Sequence, residues 1–221
     1  MIKFKGILIF ILLINFILAK SKENPLTRHY TVNDGLPSST IFPPMEDKDG
    51  FIWFGTDVGV TRFDGKVFQN FTIADGLSDN FILTVKSDSK GRIWFLGFNG
   101  TVSYWLNGKI FNEISDTLLK HIKSTNSFVD FFEDNQQRLW FISISEYLIL
   151  ENYKVERIGR EILYLPGIVF NCLQGQAILS PLDNSNYIYS NRAFNKLKIS
   201  YNFKKESGYF RLKDGGILFI A

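Results

Sequence analysis

The feature that most constrains this sequence is an internal repeat with a period of 41 residues. The tripeptide Asp-Gly-Leu at 34–36 recurs at 75–77, and the run DGFIWF at 49–54 recurs as KGRIWF at 90–95. Two separate motifs therefore share one spacing. Repeats of about 20 to 50 residues are typical of solenoids and propellers, in which each repeat is a structural unit that packs on the next.

Weaker copies extend the repeat along the chain. The third copy keeps its tryptophan, since Trp140 follows Trp94 by 46 residues. The fourth and fifth copies keep only an apolar run, with Ile178 and Leu218 at the position of the tryptophan. The repeat thus predicts five successive units, of which the fifth is only partly contained in the sequence.

Short apolar runs separated by turn residues make up each copy. Asp64-Gly65 in the first copy and Asn107-Gly108 in the second each separate two such runs, and these pairs favour tight hairpins with positive φ. The strands predicted in the first three copies include residues 40–45, 51–54, 60–63, 67–71, 81–87, 102–106, 109–114 and 127–133. We therefore predict an all-β fold, an incomplete β-propeller of four-stranded antiparallel blades with about four whole blades plus a partial fifth.

The repeated tryptophans and glycines are interpreted as structural. One blade cannot bury both faces of its own sheet, so each face must pack against a neighbouring blade. Trp53, Trp94 and Trp140 are predicted to fill the space between blades rather than to form ligand platforms. Gly50 and Gly91 are predicted to turn the chain immediately before the tryptophan strand.

Two local features concern the edges of the blades. Pro43 and Pro44 lie in the first predicted strand, and proline is tolerated only at sheet edges, so we predict a shortened innermost strand there. Residues 30–36 match residues 71–77, whose first residue ends an outermost strand, so residues 27–32 are predicted to form a lone outermost strand. Because its inner partners would have to come from later in the chain, we predict that the sequence is a fragment of a longer protein.

The amino terminus is predicted to be an export signal. Residues 1–21 hold two early lysines and the apolar run ILIFILLINFIL, which is too short to span a bilayer comfortably. Cleavage could follow Ala19 or Ser21, which leaves residues 22–221 as the propeller region. The alternatives are an uncleaved membrane anchor, or a buried first strand or core helix. The predicted location is periplasmic.

Composition excludes several classes of function. Lys3, Lys5 and Lys20 account for the net charge of +3, so the rest of the chain carries 22 basic and 22 acidic residues, and no nucleic-acid partner is predicted. The single cysteine, Cys172, excludes an intrachain disulfide framework. The two histidines lie far apart in the sequence, and no metal site, cofactor or nucleophile–histidine pair is predicted.

Several aspartates near the first hairpin turn of a blade are the best candidates for acid–base chemistry, namely Asp47, Asp49, Asp88 and Asp134. Their recurrence at one structural position favours turn formation instead, because aspartate binds the backbone that follows it. The enzyme alternative is a propeller glycosidase of the sialidase type, whose Asp-box needs an aspartate two residues before the glycine. Lys48 and Ser89 occupy those positions, so no catalytic residue is predicted.

The segments at 34–65 and 75–111 resemble the two-component regulator propeller repeat. The first copy has the Asp-Gly-Leu start, the acidic-Gly turn, Trp53 followed by Gly55-Thr56, and an Arg-Phe-Asp-Gly hairpin. The second copy departs from this pattern, because Leu96-Gly97 replaces Gly-Thr. The convincing resemblance covers about 80 residues, and the period extends it to the end of the chain.

The resemblance implies an extracytoplasmic sensor region of a bacterial histidine kinase or hybrid two-component protein, several of which respond to carbohydrate breakdown products. It implies an oligosaccharide or other small extracellular ligand, a homodimeric receptor, and a membrane helix and kinase domain beyond residue 221. The protein would contact the membrane only through that downstream segment or through an uncleaved signal. A protein-docking propeller without a sensory role shares the same sequence features and stays open.

Ligand binding is predicted at loops on one end of the propeller. The candidate residues are Asp57, Asp79, Asn80, Asn99, Lys120 and His121. They are polar residues of predicted loops, and ordinary surface loops would have the same composition. The sequence names no ligand for them.

Overall fold

The computed structural model describes residues 28–159 in full and, beyond them, the backbone of strands that lie between residues 168 and 219. The predicted export signal at 1–21 lies outside the described residues. In the part of the chain that is described, no helix is long and apolar enough to cross a membrane.

The chain divides into two compact units, residues 1–30 and residues 31–221. In the first unit, the guanidinium carbon of Arg28 lies 4.8 Å from the centre of the Tyr30 ring. The second unit contains all the strands described below. Its helical segments within residues 31–159 are three short 3-10 turns, η1 (Val32–Asp34), η2 (Ile73–Asp75) and η3 (Thr117–His121).

The strands form four antiparallel sheets of four strands, each in sequential order, and one sheet of three strands. Blade 1 contains β1 (Met45–Glu46), β2 (Ile52–Thr56), β3 (Gly59–Phe63) and β4 (Phe68–Phe71). Blade 2 contains β5 (Ile82–Ser87), β6 (Ile93–Gly97), β7 (Val102–Leu106) and β8 (Lys109–Phe111). Blade 3 contains β9 (Phe128–Glu133), β10 (Leu139–Ser143), β11 (Glu146–Glu151) and β12 (Lys154–Gly159).

Two more sheets follow along the chain. Blade 4 contains β13 (Ile168–Cys172), β14 (Gln176–Ser180), β15 (Tyr187–Ser190) and β16 (Ala193–Lys196). The three-stranded sheet contains β17 (Lys205–Glu206), β18 (Tyr209–Arg211) and β19 (Ile217–Phe219). Ile178 lies in the second strand of its sheet, as predicted, whereas Leu218 lies in the third. The sheets are blades of an incomplete β-propeller, which confirms the predicted fold class.

The repeated tryptophans are all buried, as predicted, and two of them pack against the following blade. Trp53, Trp94 and Trp140 are each 0% exposed. Trp53 packs 5.7 Å from the ring of Phe95 in the next blade, and Trp94 packs 5.0 Å from the ring of Phe141 in the blade after that. Blades 1 and 2 therefore each bury their tryptophan against the sheet of the next blade, which is how single sheets with two apolar faces become stable.

The turn before each tryptophan strand is organised by one aspartate. In blade 2, Oδ1 of Asp88 accepts hydrogen bonds from the backbone N–H groups of Lys90 and Arg92, and its Oδ2 accepts one from the indole N–H of Trp94 at 2.9 Å. Asp47 and Asp134 do the same in blades 1 and 3. The predicted turn role is confirmed for these three aspartates, while Asp49 contributes only its backbone N–H to the turn; the indole bond was not predicted.

The residue after this turn explains the repeated glycines. Gly50 and Gly91 have φ values of 84° and 78°, in the left-handed region that glycine adopts without strain. In the third copy Gln137 takes this place with φ of 60°, at some cost in backbone strain. The predicted turn function of the two glycines is confirmed.

An arginine covers the buried indole in each of the three blades. Its guanidinium carbon lies 5.6 Å from the Trp53 ring in blade 1, 4.8 Å from the Trp94 ring in blade 2 and 5.6 Å from the Trp140 ring in blade 3. In blade 1 the cation is Arg62 on the third strand, whereas in blade 2 it is Arg92 on the turn before the second. Different positions in the repeat thus supply the same contact.

The Asp-Gly-Leu motif forms a 3-10 turn in both copies. In the second copy, the side chain of Asp75 accepts hydrogen bonds from the N–H and hydroxyl groups of Thr72, while Leu77 is 3% exposed. The amide of Asn112, just after β8, donates to the carbonyl oxygen of Gly76 at 3.0 Å. The motif therefore attaches the start of a blade to the outer strand of the same blade.

Two predictions about blade edges have different outcomes. The innermost strand of blade 1 is shortened at Pro43-Pro44 as predicted, because only β1 and one bridge between Ile41 and Thr56 remain of it. The lone outermost strand predicted at residues 27–32 is wrong. Residues 28–31 belong to no strand, and Val32 begins η1, because a strand needs a neighbour to pair its backbone.

Candidate functional site

The end of the blades at which the second strand turns into the third contains most of the predicted ligand residues; we call it the turn end. Asp79 lies just before β5 and is 8% exposed. Its Oδ1 accepts a hydrogen bond from the N–H of Phe81, and its Oδ2 accepts one from the N–H of Asn99 in the β6–β7 turn at 2.9 Å. The structure thus brings Asp79 and Asn99 together, with the aspartate serving to hold the turn.

The remaining predicted residues are dispersed. Asn80 accepts a hydrogen bond from the N–H of Ile73 in η2. Asp57 lies exposed in the β2–β3 turn, which is the equivalent turn of the neighbouring blade. Lys120 and His121 lie exposed in η3, where the carbonyl oxygen of His121 accepts a hydrogen bond from Arg157 on the outer strand of blade 3.

A row of aromatic side chains, which sequence reasoning missed, crosses the turn end. The rings of Phe42 and Phe81 are 5.6 Å apart, and those of Phe81 and Phe98 are stacked at 5.0 Å with an angle of 16° between their planes. Phe42 belongs to blade 1, and the other two belong to blade 2. We call these three residues the aromatic row.

The aromatic row is open to solvent at one side. Phe98 is 49% exposed and Ile41, next to Phe42, is 46% exposed. Ile144 in blade 3 occupies the turn position equivalent to Phe98 and is 55% exposed. Exposed apolar side chains at the same position of successive blades form the kind of surface that proteins use for binding.

A signal for this row was present in the sequence. Turns favour Gly, Asn, Asp and Ser, so an aromatic or branched apolar residue in a tight turn between strands costs solvation without a local structural gain. Phe98 and Ile144 are such residues, and Asp57 stands at their position in the first copy. Comparing the copies position by position would have identified them.

The described residues contain no group of three or more His, Cys, Asp or Glu side chains placed to hold a metal ion. The carboxylates that recur in the blades are bonded to backbone N–H groups and to the indole of the same blade, as Asp88 and Asp134 illustrate. Arg92 and Arg138 also donate from Nε to these carboxylates, at 2.6 and 2.7 Å. Their hydrogen-bonding capacity is thus used within the blade.

Comparison with known proteins adds the following. No protein-family model matches the chain, and no curated protein matches it in sequence. The chain is similar to two crystal structures of the extracellular domain of BT4673 from B. thetaiotaomicron, one described as a candidate hybrid two-component system and the other as a candidate one-component system. The sequence identity is 16% to both, with TM-scores of 0.55 and 0.52.

The aligned regions cover 80% and 81% of this chain but 26% and 27% of the two crystallised domains. The chain therefore spans about a quarter of the length of the structures it matches. At this identity the likeness establishes a common fold, which agrees with the blades described above.

Proposed function

We propose that this chain is part of the extracytoplasmic sensor region of a two-component signal-transduction protein. The observation that carries the proposal is the fold shared with the extracellular domain of BT4673, together with the repeat motifs at 34–65 and 75–111 that resemble two-component regulator propellers. The apolar segment within residues 1–21 fits export to the periplasm. The output module of the full protein is a histidine kinase, and the receptor acts as a homodimer.

The ligand that we propose is an oligosaccharide bound at the turn end. The ring of Phe98, which is 49% exposed and is held in place by stacking on Phe81, offers an apolar surface on which a sugar ring can lie. Polar groups of the adjacent turn, among them the side chain of Asn99, are exposed beside them to bind hydroxyl groups. Binding controls output only to the extent that the ligand has different affinities for the two signalling states.

We further propose that the chain has no catalytic activity of its own. Support comes from the Asp-box, which lacks its aspartate at Lys48 and Ser89, and from the structural use of Asp88 and Asp134. A protein-docking propeller is the second candidate, and the exposed apolar positions Phe98 and Ile144 are the observation that favours it.

Calorimetric titration of the chain with a panel of neutral and acidic oligosaccharides tests the proposal. Phe98→Ala should weaken binding about tenfold without lowering the melting temperature. The matched control is Val67→Ala, an apolar residue that is 63% exposed in the β3–β4 turn at the opposite end of the blade. Binding that survives Phe98→Ala would contradict the site, and hydrolysis of any oligosaccharide would favour the glycosidase alternative.

A further inference from the structure

A cleft of about 350 Å³ lies between blades 2 and 3 at the end opposite the aromatic row. Its apolar part consists of Leu106 and Leu118 from the blade 2 side and of Leu139 and Leu150 from blade 3, and the larger part of its lining is polar. The guanidinium group of Arg92 also lines it. This space belongs to neither the aromatic row nor the predicted ligand residues.

The interface between blades 1 and 2 shows what can occupy such a space. Trp105 pairs with Ile93 on β6, and Leu150 pairs with Leu139 on β10, so Trp105 and Leu150 hold equivalent positions in successive blades. In the first interface an indole ring reaches across to the preceding blade. In the second interface an isobutyl group stands in its place, and the cleft is found there.

The contacts of Trp105 define the chemistry of the position. Its ring lies 5.5 Å from the ring of Trp53 and 5.2 Å from that of Phe71. The guanidinium carbon of Arg62 lies 5.4 Å from the centre of the Trp105 ring. A flat ring is therefore held by other rings and by a cation facing its π-electrons.

The cleft between blades 2 and 3 is lined by a cation, Arg92, and by one aromatic ring, that of Tyr104. The guanidinium of Arg92 lies 4.8 Å from the Trp94 ring and 5.6 Å from the Tyr104 ring, and Nε is held by Asp88 at 2.6 Å. This cation is thus fixed in position with 17% of its side chain exposed. Charged residues of both signs, of which Lys90 is one, line the rim of the cleft. A strongly charged ligand would meet like charges there and lose its hydration, so a neutral ligand is favoured.

We propose that this cleft binds a neutral planar aromatic ring of about the size of indole. The ring lies against the leucine wall and meets the guanidinium group of Arg92, as the Trp105 ring meets Arg62 in the neighbouring interface. The ligand bridges two blades, so its binding strengthens the contact between them. This inference does not depend on the proposed sensor function, because it rests on a different surface and a different ligand chemistry.

Calorimetry on the full chain with indole as the probe tests the proposal, with cyclohexanol as a ring that lacks a π-face. Indole should bind with one site per chain and cyclohexanol about tenfold more weakly. N-acetyl-tryptophanamide distinguishes the sources of the ring: its binding points to an aromatic side chain of a peptide, and its failure beside bound indole points to a free small molecule. Absence of indole binding overturns the proposal.

Variants test whether indole binds in the cleft. Leu150→Trp should fill it and abolish indole binding, and Val129→Trp, at a position 49% exposed on β9, should leave binding unchanged. Trp105→Leu should open the equivalent space and raise the stoichiometry from one to two. If Leu150→Trp does not fold, Leu106→Trp fills the cleft from the opposite wall. Unchanged binding in a folded cleft-filling variant overturns the proposal.

Discussion

At the scale of single residues, the aspartate before each tryptophan strand accepts several hydrogen bonds at once. In blade 2 its two oxygens bind two backbone N–H groups, the indole N–H of Trp94 and Nε of Arg92. The side chain of Asp88 is fully buried, so none of these bonds can be replaced by water. A short exposed turn and a buried interface are thereby joined through one carboxylate.

Replacement of Asp88 by Ala should therefore destabilise the fold by about 3 kcal/mol, since it leaves the largely buried Arg92 cation and the buried indole N–H without their acceptor. Asp49→Ala is the control, because that side chain is exposed in the turn of blade 1, and its cost should stay within about 0.5 kcal/mol. Urea unfolding measures both. Equal midpoints for the two variants would contradict this account.

Tyr104 provides a prediction about pH. Burial, and then the hydrogen bond that its hydroxyl donates to Asp116 at 2.9 Å, raise the pKa of Tyr104 from 10.0 to about 12. Because the folded state favours the neutral phenol, its contribution to stability is complete below pH 10 and is lost as the pH rises towards 12.

Ultraviolet absorbance of tyrosinate, compared between the wild type and Tyr104→Phe, should isolate one group that ionises near pH 12. Asp116→Asn should lower that midpoint, since it removes the negative charge beside the phenol. Circular dichroism at each pH separates ionisation from unfolding. A difference curve centred near pH 10 in the folded protein would refute the assignment.

At the scale of elements, the spacing of the blades depends on close contact between backbones. A Cβ atom at Gly55 on β2 would collide with the carbonyl oxygen of Ile82 at the start of β5 in the next blade. Gly55 is therefore needed for lack of a side chain rather than for its backbone angles. The Gly-Thr pair of the repeat thus has a packing reason that only the neighbouring blade reveals.

Gly55→Ala should cost about 3 kcal/mol, because the inner strand of blade 2 would have to move. Gly65→Ala is the matched control: its φ is 93°, but nothing lies within 4 Å of the added methyl group, so only backbone strain of about 1 to 2 kcal/mol is expected. Thermal or denaturant unfolding compares the two. The prediction fails if the Gly65 variant is the less stable.

At the scale of the whole molecule, stability resides between blades. The core between blades 1 and 2 is centred on Trp53, and the core between blades 2 and 3 is centred on Trp94. A polar seam between the inner strands adds to the second interface: Lys86 pairs with Asp130, and Ser89 donates to Glu133 from both its N–H and its hydroxyl group.

Replacing Trp94 by Ala should lower the free energy of unfolding by about 3 to 5 kcal/mol, because a fully buried indole is lost from an interblade core. Trp105→Ala should cost less, since that residue is only half-buried. Hydrogen exchange should show faster opening of β6 and β10 in the first variant. An unchanged melting temperature for Trp94→Ala would show that the interface contributes little.

The sequence alone determined the blade architecture of the first three copies, the turns at Gly50 and Gly91 and the burial of the repeated tryptophans. These features follow from the local chemistry of the residues and from the repeat period, and neither depends on how the strands are arranged in space. It also indicated the turn role of the repeated aspartates, because aspartate binds the backbone beside it.

Only the tertiary structure decided how the blades pack against one another. The row formed by Phe42, Phe81 and Phe98, and the space left where Leu150 replaces the equivalent of Trp105, depend on contacts between residues that no local pattern pairs. For the same reason the strand predicted at 27–32 is wrong, since local similarity to another copy supplies no neighbouring strand to complete its hydrogen bonds.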